Sequence, residues 1–177
     1  MIFPARLIED KGVFVLLDAI KLLIKDNVQV NITIMGSGEL KDTCKVFCLN
    51  MAGNVNLTYI EPVEYGQAFL DALGSYDVVL VPNLKEEQPR IVFDAFSQGL
   101  CVIASDTSGI LDITDEGNAV IYKRGDPDSL AKAICYVIEN PNIMLQMGLN
   151  GLNYADGKTH HQMHLDREKF LASVLDI

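Results

Sequence analysis

The chain is poor in positive charge. Lys and Arg number 14 against 24 Asp and Glu in 177 residues, giving a formal net charge of −10 at neutral pH and a pI near 4.6. Nucleic acid and anionic membrane surfaces call for a basic footprint, so this balance argues against both as partners. A small anionic ligand stays open, because a few local cations bind phosphate even inside an acidic protein. Cysteine is scarce too. Cys44, Cys48, Cys101 and Cys135 form no CxxC pair and no framework of the secreted type. They read as reduced structural thiols, two facing inward on helices and one in an apolar strand. No apolar run reaches the ~18 residues of a membrane helix, and no signal-peptide pattern opens the chain, so the expected setting is a reducing cytoplasm. Nucleophile-elbow (GxSxG) and Walker patterns are missing, as are internal repeats and low-complexity stretches.

Apolar content and alternation are what the chain does have. At 49% hydrophobic and 21% charged, it matches a globular composition. A chain of this length buries roughly 70% of its unfolded surface without a disulfide or metal staple. Residues 12–26 place Val13, Leu16, Leu17, Ile20, Leu23 and Ile24 on one helical face. The β-branched run Val28–Met35 predicts a strand that stops at Gly36-Ser37-Gly38, and a helix is expected from Glu39 to Met51. A strand at Val55–Tyr59, a helix at Tyr65–Leu73 and the apolar strand Asp77–Pro82 follow. Pro89–Gln98 reads as a helix with proline at its first position and Gly99 as its stop. Strands at Leu100–Ala104 and Asn118–Tyr122 come next. Helices are expected at Pro127–Glu139, capped by Asp126, at Asn142–Tyr154 and at Thr159–Leu175. Strand–helix alternation with continuously apolar strands predicts an α/β fold, a doubly wound, mostly parallel, Rossmann-like sheet. Met1-Ile2-Phe3 reads as the tail of a strand.

Ligands of such sheets sit at the carboxyl ends of the strands, which directs attention to four loops. The first, Pro4–Gly12, carries Arg6 and Lys11 where a strand gives way to a helix, a place from which a guanidinium and an ammonium grip a diphosphate. The competing reading makes them surface charges paired with Glu9 and Asp10. The second, Gly36-Ser37-Gly38, lets backbone approach a ligand closely or simply turns tightly; without a third glycine it is not a dinucleotide fingerprint. In the loop after the fourth strand, Glu86, Gln88, Arg90, Ile91 and Asp94 surround a helix start, where carboxylates accept sugar hydroxyls and free amides donate to ligand oxygens. A pair of helix-terminal surface acids is the alternative there. The loop after the fifth strand, Ser105–Gly109, is the last. His160 and His164 are spaced for a shared metal, but with His161 they read as surface residues.

Taken in order, these loops resemble one family, the retaining glycosyltransferases of family 4, in their C-terminal, donor-binding, Rossmann-like domain. The marks are Arg6-x4-Lys11-Gly12, Gly36-x-Gly38, the strand Asp77-Val78-Val79-Leu80-Val81-Pro82, and the acid-x7-acid span from Glu86 to Asp94 followed by Ala95, Gly99 and Cys101-Val102-Ile103-Ala104-Ser105. The resemblance covers nearly the whole chain and implies half of a GT-B enzyme. A donor-binding domain would span residues 1–157, and a helix over 158–177 would pack toward an N-terminal domain absent from this chain. It implies Arg6 and Lys11 on the diphosphate of a nucleotide sugar, Asp94 on the ribose, Glu86 on the transferred sugar, and amides around Gln88, Arg90 and Ile91 on sugar or phosphate. Gly36 and Gly38 would admit the nucleotide, with the base near Tyr59–Glu61. No cofactor and no metal are implied, since Arg6 and Lys11 supply the positive charge. The chain departs from the family where Asp94 replaces the usual Glu, Ala5 a glycine, Ser108-Gly109 paired glycines, and Glu87-Gln88-Pro89 the usual Gly-Phe-Gly. A non-catalytic regulatory or interaction module and a fragment of a sugar-nucleotide epimerase are the alternatives.

Overall fold

The computed structural model describes residues 1–51, 53–156, 158 and 160–175, backbone only for 160–163, 166 and 175. Six strands, β1 (Ile2–Pro4), β2 (Val30–Met35), β3 (Val55–Ile60), β4 (Val78–Val81), β5 (Cys101–Ser105) and β6 (Ala119–Tyr122), form one parallel sheet in the order β3-β2-β1-β4-β5-β6. Between them run α1 (Val13–Lys25), α2 (Lys41–Asn50), α3 (Gln67–Leu73), α4 (Arg90–Ser97) and α5 (Ser108–Leu111). After β6 come α6 (Pro127–Glu139), α7 (Pro141–Asp156) and α8 (His160–Leu175).

Period-two alternation divides each strand between two cores. Val78 and Leu80 of β4, with Cys101 and Ile103 of β5, pack with Leu16 and Ile20 of α1 and Leu130 and Ile134 of α6. Val79 and Val81, with Val102 and Ala104, pack on the other face with Leu73 of α3 and Val92 and Phe96 of α4. Both faces of the central strands are thereby buried, which is why they read as unbroken apolar runs. The helical face predicted for α1 points inward as expected, with Val13, Leu16, Leu17, Ile20 and Leu23 all buried. Cys44 and Cys101 are buried as well, and burial pushes their thiols up to about 11 and about 12.

The strand–helix order follows the sequence pattern, with shifts at the ends. Pro89 is not the first helical residue but the extended residue before α4 (φ −74°, ψ 120°), so the helix begins at Arg90. The loop after β5 contains the short α5, which four residues without a detectable period did not announce. Asp126 caps α6 as predicted, its carboxylate accepting the Ser129 amide at 3.1 Å. None of the described side chains of α8 belongs to the buried core. The expected boundary after residue 157 and the side chains of His160 and His161 lie outside the described residues. Asp126→Ala should cost about 1 kcal/mol of stability, the usual value of an N-cap, read as a lower urea midpoint with an unchanged slope.

Candidate functional site

Strand order reverses between β1 and β4, and in open parallel sheets the ligand crevice opens at that reversal. The register shows how. β1 matches β2 over three residues, Ile2 to Pro4 against Thr33 to Met35, but meets β4 only at Ile2–Val79. Past that single pair the strands part, and a cavity of about 530 Å³ opens between them. Arg6 and Lys11 line it from the β1 loop, Gly36 from the β2 loop, and Gln88, Arg90, Ile91 and Asp94 from the start of α4. Gly38 and Glu86 are not among its lining residues.

The glycines of the second loop have a structural reason that the sequence did not disclose. A Cβ on Gly36 would stand 1.9 Å from the Ala5 carbonyl oxygen, and one on Gly38 2.5 Å from that of Leu7. The bare backbone lets the β2 loop lie flat on the β1 loop, where the Leu7 amide donates to Ser37 O (2.8 Å) and the Leu40 amide to Leu7 O (2.9 Å). The floor under Arg6 is therefore two loops fused by hydrogen bonds. The close approach seen at these glycines is to the protein's own chain.

Arg6 is exposed at the cavity wall, and no carboxylate among the described residues lies within salt-bridge distance of it. The alternative pairing of the β1-loop cations with Glu9 and Asp10 does not form. Asp10 instead holds Lys85 at 2.6 Å, and its carbonyl takes the Leu84 amide at 2.8 Å, which ties the β1 loop to the β4 loop. Lys11 pairs with Glu87.

At α4, the amides of Arg90 and Ile91 have no intrahelical acceptor, and both residues line the cavity, while the Val92 amide donates to the Pro89 carbonyl at 3.0 Å. Asp94, one turn further on, accepts the Tyr65 hydroxyl at 3.0 Å, while the Arg90 guanidinium lies 4.0 Å from the centre of the Tyr65 ring. Burial raises the Asp94 carboxyl above its ordinary 3.8, with the Tyr65 hydrogen bond and the Arg90 charge pulling it partly back. Glu86 faces another way. It accepts the Ser108 amide at 2.6 Å and the Ser108 hydroxyl at 2.8 Å, and it pairs with Arg124. Those bonds, the Ser108 hydroxyl first, hold its carboxyl below the ordinary range.

Several wall residues were not singled out as site residues in the sequence. Pro62, Val63, Tyr65 and Phe69 form an apolar side after β3, and Asn83 and Glu87 a polar end after β4. The expected base-side residues Tyr59 and Glu61 are not among the lining residues, although Pro62 and Val63 of the same loop are. Glu61 binds Lys41 at 2.9 Å and Lys45 at 3.0 Å, which keeps its carboxyl down at about 2, and the Tyr59 hydroxyl bonds the Gly36 carbonyl at 2.7 Å. Among the described residues, no group of His, Cys, Asp and Glu is arranged to hold a metal. No described helix is long and apolar enough to cross a membrane.

The fold and this crevice define an open-sheet domain with its cavity at the β1/β4 reversal. The family described as glycosyl transferases group 1 matches residues 1–154, and the chain belongs to it. An uncharacterised glycosyltransferase of Methanocaldococcus jannaschii is 26% identical over 142 residues, 79% of this chain and 36% of that protein. Anabaena HepE, solved in complex with UDP, shares the fold with a TM-score of 0.76 at 18% identity, over 99% of this chain and 48% of HepE. The C-terminal domain of a group 1 glycosyl transferase (LpcC) from Francisella tularensis does so with a TM-score of 0.69 at 16% identity, over 89% of this chain and 84% of that one. The chain thus spans well under half the length of the archaeal relative and about half of HepE. Its six-stranded sheet is the Rossmann-like half of the GT-B architecture.

Two measurements check this geometry. Gly36→Ala should lose about 1–3 kcal/mol of stability with no ligand present, because the new methyl meets the Ala5 carbonyl; chemical denaturation reads it. Asp94 also gives a signed pH effect. A carboxyl whose folded pKa is raised contributes stability below its unfolded value and loses it as pH rises through the folded one. Wild-type stability relative to Asp94→Asn should therefore fall as pH is raised from below 3.8 toward neutrality, seen as converging or crossing melting temperatures.

Proposed function

We propose that this chain is the donor-binding half of a retaining glycosyltransferase, taking a nucleotide-diphosphate sugar and serving an acceptor bound by an N-terminal domain outside this chain. The observation that carries the reading is that one cavity, at the β1/β4 reversal, gathers Arg6, Lys11, the amino end of α4 and Asp94. Solved structures of HepE with UDP and with UDP-glucose share the fold, and a bound nucleotide sugar in such a neighbour supports the same ligand class here.

Each wall suits one part of that ligand. Arg6 and Lys11 meet the diphosphate, and the first amides of α4 near Arg90 and Ile91 add the positive end of a helix. Asp94 accepts the ribose hydroxyls in place of the Tyr65 hydroxyl. Pro62 and Val63 offer the apolar surface a base needs, and Gln88 reaches the sugar side. In transfer, the bond from the anomeric carbon to the phosphate oxygen breaks, with its electron pair going to the diphosphate. The acceptor hydroxyl bonds to that carbon on the same face and passes its proton to the departing phosphate. Charge thus gathers where Arg6 and Lys11 stand, and stabilising it there lowers the barrier. Gly36 and Gly38 serve by setting the floor. Glu86 anchors the loop, and contact with the transferred sugar would require it to leave Ser108 and Arg124.

Calorimetric titration of the chain with UDP, GDP and ADP tests the proposal. Binding of at least one is expected, and Arg6→Ala should weaken it by about 1–3 kcal/mol, the value of a hydrogen bond to a charged group. No heat from any of the three at millimolar concentration would point to the non-catalytic module instead.

A further inference from the structure

We propose that Glu87 is a built-in counter-ion of the anion subsite, seated on Lys11 where a diphosphate would bind, so that the incoming diphosphate must displace it. This rests on the donor-binding reading above and adds to it a residue that sets affinity.

The β4 loop is built to hold that carboxylate in place. Asn83, two residues past β4, is buried, and its carbonyl accepts the Ser105 hydroxyl at 2.7 Å. Its side-chain amide donates at 2.6 Å to Oε1 of Glu87, the same oxygen that takes the Lys11 ammonium. One residue earlier, Glu86 is fastened to Ser108 and Arg124 on the opposite side. Beneath them Gly109 has no side chain to lift the loop, for a Cβ there would stand 2.4 Å from the Glu87 carbonyl oxygen. Adjacent carboxylates are therefore pinned in opposite directions, and the one turned into the cavity is Glu87.

The consequence is electrostatic. The Lys11 side chain is only 18% exposed, so its ammonium sits where a counter-charge matters, while Glu87 is 39% exposed and can swing out to water. An arriving diphosphate offers Lys11 a stronger anion, but it must first break two charge-assisted hydrogen bonds and send a carboxylate out beside its own negative charge. Binding is weakened by that exchange. The same pair keeps the ligand-free site stable, since a half-buried ammonium without its partner is costly.

Removal of the charge should thus have two opposite effects. In titrations of the full 177-residue chain with UDP, GDP, ADP and inorganic pyrophosphate, Glu87→Gln is expected to bind at least one of them about tenfold more tightly than wild type, the scale of a partly screened charge-assisted contact. Without ligand, the same variant should melt at a lower temperature than wild type. In the background of Lys11→Gln the gain in affinity should vanish. If wild type binds as tightly as Glu87→Gln, the counter-ion role is overturned while donor binding stands. If neither protein binds any of the four probes, both are overturned. Should Glu87→Gln fail to fold, Glu87→Ser carries the same comparison.

Discussion

The site depends on how little of β1 is paired with β4. Three central residues, Ile2 to Pro4, are locked against β2 on one side, yet only Ile2 meets β4 on the other. A longer β1–β4 ladder would close the crevice, and a shorter β1–β2 ladder would leave the first loop without a base. Because both strands are buried on both faces, neither can slide to change this balance. The position of the cavity is thus a property of the sheet, and the loops only furnish it.

Furnishing is done by polar groups that already satisfy one another. Lys11 has Glu87, Asp94 has the Tyr65 hydroxyl, Arg90 has the Tyr65 ring, and Glu86 has Ser108 and Arg124. Arg6 alone among the predicted charged residues lines the cavity without a described side-chain partner. A half-open crevice with several charges would otherwise be costly to keep, since unpaired groups in a partly desolvated place lose their water without replacement. Ligand binding at such a site is an exchange of partners.

Most of the fold was legible because buried parallel strands announce themselves as apolar runs between helical periods. α6 and its Asp126 cap came directly from the pattern, whereas α5 did not, being too short to show one. At the site, Arg6, Lys11 and Asp94 could be picked out from the order of the four loops and their family resemblance, since charge alone left each readable as a surface residue; all three line the cavity. Pro62, Val63 and Phe69 could not, since an apolar residue in a loop looks the same whether it lines a crevice or covers a core. Glu86 and Glu87 are neighbours with identical side chains. Which one turns inward is decided by the seat that Gly109 and Ser108 provide more than 20 residues away, and no local pattern contains that information. Gly36 shows the same limit, its meaning lying in a carbonyl of a different loop.

The apolar side of the cavity is fastened differently from the rest. Next to Pro62 in the chain, Glu61 is held by two lysines in exposed ion pairs that salt readily screens. The opposite wall is fixed by buried Asn83 and by backbone bonds between loops. One jaw of the crevice is therefore hinged on surface charge and the other is set in the core. Added salt therefore weakens the ties beside one wall and leaves those of the other in place.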